Sequence, residues 1–219
     1  MEGIRACNPV VGCTEGCPWC RSATLAVQRR LSSDFSKPEF HERRLRMLPT
    51  NTASIFDLCS MSDLADWKNG WCHMIFAAMA KNPQHRYLLS TNRPGRVFLD
   101  EESKRFLESA DNVWVGTSVI VPNQLERIEA MHWNIPARHY YVDFEPLLGS
   151  MDGFNPIGVG WVVVGALTGP MAPLYPTMKR WVLDLISVAD DYTIPVAMRD
   201  NLRSVVGSDL LRNDIPFKP

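Results

Sequence analysis

WVVVG, residues 161–165, is an unbroken apolar run closed by a glycine. A strand with one face in water alternates polar and apolar side chains. A strand apolar at every position is covered on both faces, as in parallel sheets flanked by crossover helices. Working outward from Trp161–Gly165, further β-rich runs stand at Ile4–Val10, Ser54–Cys59, Arg86–Ser90, Val113–Thr117, His139–Phe144 and Ile194–Met198. Stretches with helical spacing of apolar residues lie between them, at Cys72–Ala80, Glu101–Ser109, Gln124–Met131 and Met178–Ala189. Asp100, just ahead of Glu101 and Glu102, reads as a helix N-cap.

Strand–helix alternation repeated about six times implies parallel strands joined by right-handed crossovers. The expected fold class is α/β, a partial (β/α)6-type TIM barrel with helices outside; an open doubly wound sheet is the alternative. The barrel is preferred because polar residues follow strand after strand: Ser60 and Asp63, Thr91 and Asn92, Thr117 and Ser118, Glu145, and Thr168. Barrel sites are built at those strand ends. One domain over residues 1–219 is expected, with 31–50 as a polar insertion and 199–219 as a C-terminal extension packed outside the sheet.

Hydrophobic residues make up 46% and charged residues 21%, the profile of a soluble globular chain that can bury its own core. No apolar run approaches the roughly 20 residues of a membrane helix, and MEGIRACNPVVGC lacks the layout of a signal peptide. A cytoplasmic location is expected, where clustered thiols read as metal ligands or catalytic groups before disulfides. The net charge of −1 gives no overall pull toward nucleic acid. Cations do gather locally, between Arg21 and Met47 and again between Lys81 and Arg96. Each group is either an anion-binding rim or an ordinary solvated face.

Three of the six cysteines crowd into GCTEGCPWCRS, residues 12–22, as Cys13-x3-Cys17-x2-Cys20. A structural zinc site wants four closed ligands, and here Cys7 or a histidine could complete one. A [4Fe–4S] cluster normally takes four cysteines as well. Held by three, it keeps one iron open to a chelating ligand. Cys59, Cys7 and Cys72 read as buried apolar fillers, although Cys59 ends a predicted inner strand.

The spacing Cys13-x3-Cys17-x2-Cys20 after a first strand, with Trp19 directly before the third cysteine, resembles the signature of the radical S-adenosylmethionine (radical SAM) enzymes. The likeness extends to a phage-borne family of short three-cysteine proteins. Their WNPVTGC, NSMSDLF and TKRP correspond to CNPVVGC (7–13), LCSMSDLAD (58–66) and TNRP (91–94). Their VGVSVEN…RI, SCEPLLG, WVIVGGESG and PFFMKDNL correspond to VGTSVIVPNQLERI (115–128), VDFEPLLG (142–149), WVVVGALTG (161–169) and PVAMRDNL (195–202). The matches run in order along nearly the whole chain. Ala166 and Leu167 depart from the usual glycine and glutamate, and 31–50 is also unusual.

The resemblance implies that Cys13, Cys17 and Cys20 hold a [4Fe–4S] cluster, that S-adenosyl-L-methionine chelates its fourth iron, and that one-electron cleavage yields a hydrogen-abstracting 5′-deoxyadenosyl radical. Trp19 is expected beside the cluster. Ser60, Ser62 and Asp63 are expected at the methionine amine, Ser118 at ribose or carboxylate, Glu145 at ribose hydroxyls or substrate, and Arg199 at an anionic group. Each is equally a cap or turn former. Cys59 and Glu145 are the candidate catalytic residues, Cys59 as a hydrogen donor to a product radical. Implied partners are an external one-electron reductant of flavodoxin or ferredoxin type and DNA or a modified nucleotide, with no membrane involved. The setting implied is a phage protein working in the bacterial host cytoplasm. The expected reaction is isomerisation or other modification of an aminoacyl-hypermodified thymine in phage DNA. A radical SAM enzyme on a free nucleotide or peptide, and a zinc-binding nucleic-acid or structural module, are the competing readings.

Overall fold

A computed structural model describes residues 3–217. Its strands are β1 (Ile4–Ala6), β2 (Val10–Val11), β3 (Glu39–Phe40), β4 (Ile55–Asp57), β5 (Arg86–Thr91), β6 (Val113–Ser118), β7 (His139–Phe144), β8 (Trp161–Val164) and β9 (Val196–Met198). Its main helices are α1 (Arg21–Gln28), α2 (Asn69–Ala80), α3 (Glu101–Ser109), α4 (Glu126–Asn134) and α5 (Lys179–Asp191). Seven strands form one sheet in the spatial order β1-β4-β5-β6-β7-β8-β9, and every adjacent pair is parallel. Sequential parallel pairing with one-way crossovers curls the sheet into a half-barrel with the helices outside. Every crossover carries an α-helix except that between β7 and β8, where Met151, Phe154 and Val159 supply the covering apolar surface instead.

All four residues of β8 are buried, as the run around Trp161 requires. Val162 and Val164 pack outward with Phe144, Val182 and Leu185 of the helical layer. Trp161 and Val163 point inward with Ile55, Leu88, Trp114, Tyr141 and Ala197. Burying side chains of this kind stabilises by about 1.5–3 kcal/mol each, so the sheet is held from both sides. The carboxyl group of Asp100 caps α3 by accepting from Ser103 N at 3.0 Å.

Three expectations need correction. The run Ile4–Val10 is not one strand: β1 stops at Ala6, and Asn8 takes a left-handed conformation (φ 49°) before Pro9. Asn is among the few residues that adopt this conformation readily. Its side-chain oxygen accepts from Ser60 Oγ and Met61 N, both at 2.9 Å, tying the start of the cysteine loop to the end of β4. Residues 31–50 are not a peripheral addition. They contribute β3, which pairs antiparallel with β2, and bury Leu48 completely. The Phe35 carbonyl accepts from Cys13 N at 2.8 Å. At Gly12 (φ +115°) a Cβ would stand 2.8 Å from Pro38 Cα, so only glycine lets the two segments meet.

The C-terminal segment also differs from expectation, because it does not stay outside the sheet. It runs antiparallel beside β9 through an Ala197–Asn213 bridge. Ile215 and Phe217 then pack on the concave face, with the Phe217 ring 5.2 Å from Trp114 and 5.8 Å from Trp161. Apolar residues therefore fill the N-terminal half of the trough. The polar half lies at the C-terminal ends of the strands.

Candidate functional site

A cavity of about 590 Å³ opens at those strand ends. Cys13, Cys17, Trp19 and Cys20 form one wall; Cys59, Ser60, Ser62 and Asp63 follow β4; Ser118 follows β6; Glu145 and Arg199 close the far side. The residues expected at the cluster, the cofactor and the substrate thus meet in one place, as strand-end geometry in a barrel dictates.

The cysteine loop is turned by Gly16 (φ +69°) and ends where Cys20 caps α1, its sulfur accepting from Ala23 N at 3.3 Å. Cys13 Sγ accepts from Glu15 N at 3.4 Å. Burial pushes the Cys13 thiol up to about 12, and it raises Cys17 with help from Glu15 and Cys20. A bare thiolate is costly here, and a bound cation would offset that cost. None of the three is in a disulfide. The thiols face the cavity at separate points, and among the described residues no three His, Cys, Asp or Glu side chains converge as on a single ion. Three free, half-exposed thiols with backbone N–H groups donating to two of the sulfurs fit the donor set of an iron–sulfur cluster. Cys7 belongs to the core, where its thiol donates to Arg44 O at 3.4 Å, and it does not reach the cavity.

An ionic bolt fixes this loop to the barrel. Arg93 Nη2 lies 2.7 Å from Asp66 Oδ2, Nη1 donates to Thr14 Oγ1 at 2.6 Å, and Nε stands 3.1 Å from Glu15 Oε2. Asp66 in turn accepts from Thr14 N at 2.9 Å and Thr14 Oγ1 at 2.7 Å. Burial opposes the charge of Arg93, but Asp63 and Asp66 outweigh it and hold the guanidinium pKa above its usual value. The charge of Arg93 is therefore already committed. Lys81 and Arg86 lie at the opposite end of β5 from Arg93 and Arg96, so the cations of 81–96 form no single rim.

The strand-end residues divide by partner. Both oxygens of Asp63 are engaged: Oδ1 accepts from Ala65 N at 2.8 Å and Thr91 Oγ1 at 2.5 Å, and Oδ2 accepts from Asn92 N at 2.8 Å. The cap alternative therefore describes its local work. Ser62 Oγ accepts from Trp67 Nε1 at 3.0 Å, Ser60 Oγ donates to Asn8, and the Ser118 carbonyl accepts from Arg127 at 3.0 Å. Arg199 Nε donates to Glu145 Oε2 at 2.5 Å, so the anionic partner of Arg199 is Glu145 itself. Gly165 makes room for this pair: a Cβ there would stand 2.8 Å from Glu145 Cγ and Cδ and 2.9 Å from Arg199 Cγ. Cys59 is buried at the cavity edge, and burial drives its thiol pKa well above the usual value, keeping it protonated.

Three residues escaped the sequence reading. Asn201 Nδ2 donates to Ala166 O at 2.7 Å while its Oδ1 accepts from Ala166 N at 3.1 Å, bracing the end of β8. Asp57 and Asp143 sit inside strands, one inward position below Cys59 and Glu145. Burial raises both carboxyl groups, Asp143 to about 8 with Glu145 adding to the rise and Arg199 opposing it. The available signal was a carboxylate at an inward position of an otherwise apolar strand, as in SIFDLC and YYVDFEP.

No helix among the described residues is long and apolar enough to cross a membrane. No curated protein matches the chain. Residues 4–200 match the family described as "Protein of unknown function (DUF5131)", and the chain belongs to that family.

Proposed function

We propose that the chain is a radical SAM enzyme whose cluster is held by Cys13, Cys17 and Cys20. The observation that carries this reading is the placement of three free thiols and Trp19 on the wall of a cavity that also gathers the polar ends of β4, β6, β7 and β9. A [4Fe–4S] cluster held there with S-adenosyl-L-methionine would supply hydrogen-abstracting radical chemistry, its electron coming from an external flavodoxin- or ferredoxin-type donor. The chain's own residues bind, orient and exclude water, which is the protein's share in cofactor chemistry. Arg93 and Asp66 hold the cysteine loop against the barrel, and the Phe35 carbonyl fixes Cys13 from behind. Ser60, Ser62 and Ser118 offer hydroxyls or backbone groups to the cofactor. Cys59 keeps its proton and would give the hydrogen atom of its S–H bond to a product radical, leaving a thiyl radical that one electron from the external donor and a proton return to the thiol. Glu145 and Arg199 form the wall facing the cysteines, where substrate binds.

The volume, about 590 Å³, suits a nucleoside-sized group beside the cofactor. The substrate in this reading is an amino-acid-bearing modified thymine, flipped from DNA to reach the cavity, in the cytoplasm of a phage-infected cell. Phosphate contacts fall to the exposed Arg21, Arg29 and Arg30 around α1. The test is anaerobic reconstitution followed by reduction with dithionite. Wild-type protein is expected to convert S-adenosyl-L-methionine to 5′-deoxyadenosine, and Cys13→Ala, Cys17→Ala and Cys20→Ala each to lose that activity. Retained cleavage in any of the three contradicts the ligand assignment.

A further inference from the structure

The concave face crowds together more carboxyl groups than the cysteine loop explains. Asp57, Asp143 and Glu145 share it with one cation, Arg199, whose Nε is already bonded to Glu145. Asp57 Oδ1 accepts from Cys59 N at 2.9 Å. Asp143 has no such support: among the described residues no hydrogen bond reaches its carboxyl group, and Oδ1 is buried without a partner. The charge of Arg199 acts on it, but a buried carboxyl group without a hydrogen-bond partner is still a costly arrangement that a fold seldom keeps without use. Asp57 and Asp143 both retain partial exposure. The other face of their strands lies under helices, so both carboxyl groups sit on the concave face, one inward position below the cavity-lining Cys59 and Glu145. Tyr141, closely packed over Gly116, forms the apolar floor below.

We propose that this trough floor is a cation subsite that receives a protonated primary amine of the substrate, held by Asp143 and Asp57 below the Glu145–Arg199 pair. An alkylammonium group has three donors and a single charge. It can bond the orphan carboxyl group and, as Asp143 gives up its proton, pair with the carboxylate that forms. A neutral hydroxyl offers one donor and no charge, so the subsite selects amine over alcohol. A second guanidinium is disfavoured because Arg199 already occupies the wall with its planar fork. The proposal rests on the cavity being the substrate site and makes no use of the cluster.

The probes are propylammonium chloride and propanol, a pair matched in size. The readout is the side-chain carboxyl resonance of Asp143 in the full-length protein as purified, assigned by its loss in Asp143→Asn. Asp57, Glu145, Arg199, Tyr141 and Cys59 face this group, so the titration is followed at fixed salt with and without probe. Propylammonium is expected to lower the Asp143 midpoint by about one pH unit or more, as a paired cation does, and propanol to leave it in place. Asp143→Asn is expected to bind propylammonium at least about tenfold more weakly, with no preference over propanol. Equal effects of the two probes overturn the proposal. So does loss of the propylammonium response when S-adenosyl-L-methionine is added to reconstituted protein, which would give the subsite to the cofactor's own amine. If Asp143→Asn does not fold, assignment by selective labelling of the wild type lets its titration decide alone. Failure of the cluster to form leaves this titration readable, so the two readings fail separately.

Discussion

At Gly165 a single missing methyl group decides whether two charged side chains can meet. The strand end brings Glu145 and Arg199 within 2.5 Å, and the space for their stems is the space a Cβ would fill. The backbone of Gly165 also accepts from Leu147 N at 2.8 Å, so it cannot retreat freely. Gly165→Ala is expected to cost about 1–3 kcal/mol by overpacking and to break the pair. Thermal denaturation and substrate turnover should show a lower Tm and impaired activity; an unchanged Tm with full activity would show that the wall has slack. The same scale explains what could be read in advance. Cys13, Cys17, Cys20 and Glu145 stood out because their spacing, or their place just past a strand, is visible in one dimension. Asp143 did not, because its meaning depends on a partner that is missing, and only three-dimensional neighbours reveal a missing partner.

At the level of elements, the cysteine loop is an appendage held by other parts of the chain. Its backbone is tied to 31–50 through Cys13 N and Phe35 O, and its side chains are tied to the segments after β4 and β5 through Asp66 and Arg93. The side chain of Arg93 is 13% exposed and that of Asp66 9%, so water screens this network little. Removing one partner of such a buried pair costs about 3–5 kcal/mol. Arg93→Ala is expected to loosen residues 12–22, seen as faster proteolysis there and lower iron retention after desalting, with Arg93→Lys intermediate. Equal cleavage rates in all three proteins would remove the bolt from the account. The strands β5 to β8 were legible to within a residue because apolar runs mark them directly. The break at Asn8, helix α1 and the role of 31–50 were not, since each follows from long-range contacts such as Asn8 with Ser60 and Met61.

The whole molecule is an open trough divided along its length. Trp114, Trp161, Ile215 and Phe217 seal the N-terminal half, and the carboxylates, Arg199 and the cysteine loop surround the other. The parallel order of strands was foreseeable from repeated strand–helix alternation, but the tail's entry into the trough was not, because a polar stretch such as 207–214 carries no mark of its destination. A half-barrel leaves the site reachable from the side, consistent with a large substrate. The central claim is that the three thiols hold iron and sulfide. Iron and acid-labile sulfide should therefore be measured per chain, under strict exclusion of oxygen, after reconstitution and gel filtration. The account predicts about four of each in wild-type protein and essentially none once Cys13, Cys17 and Cys20 are all replaced by alanine. Wild-type protein that retains neither iron nor sulfide would contradict it.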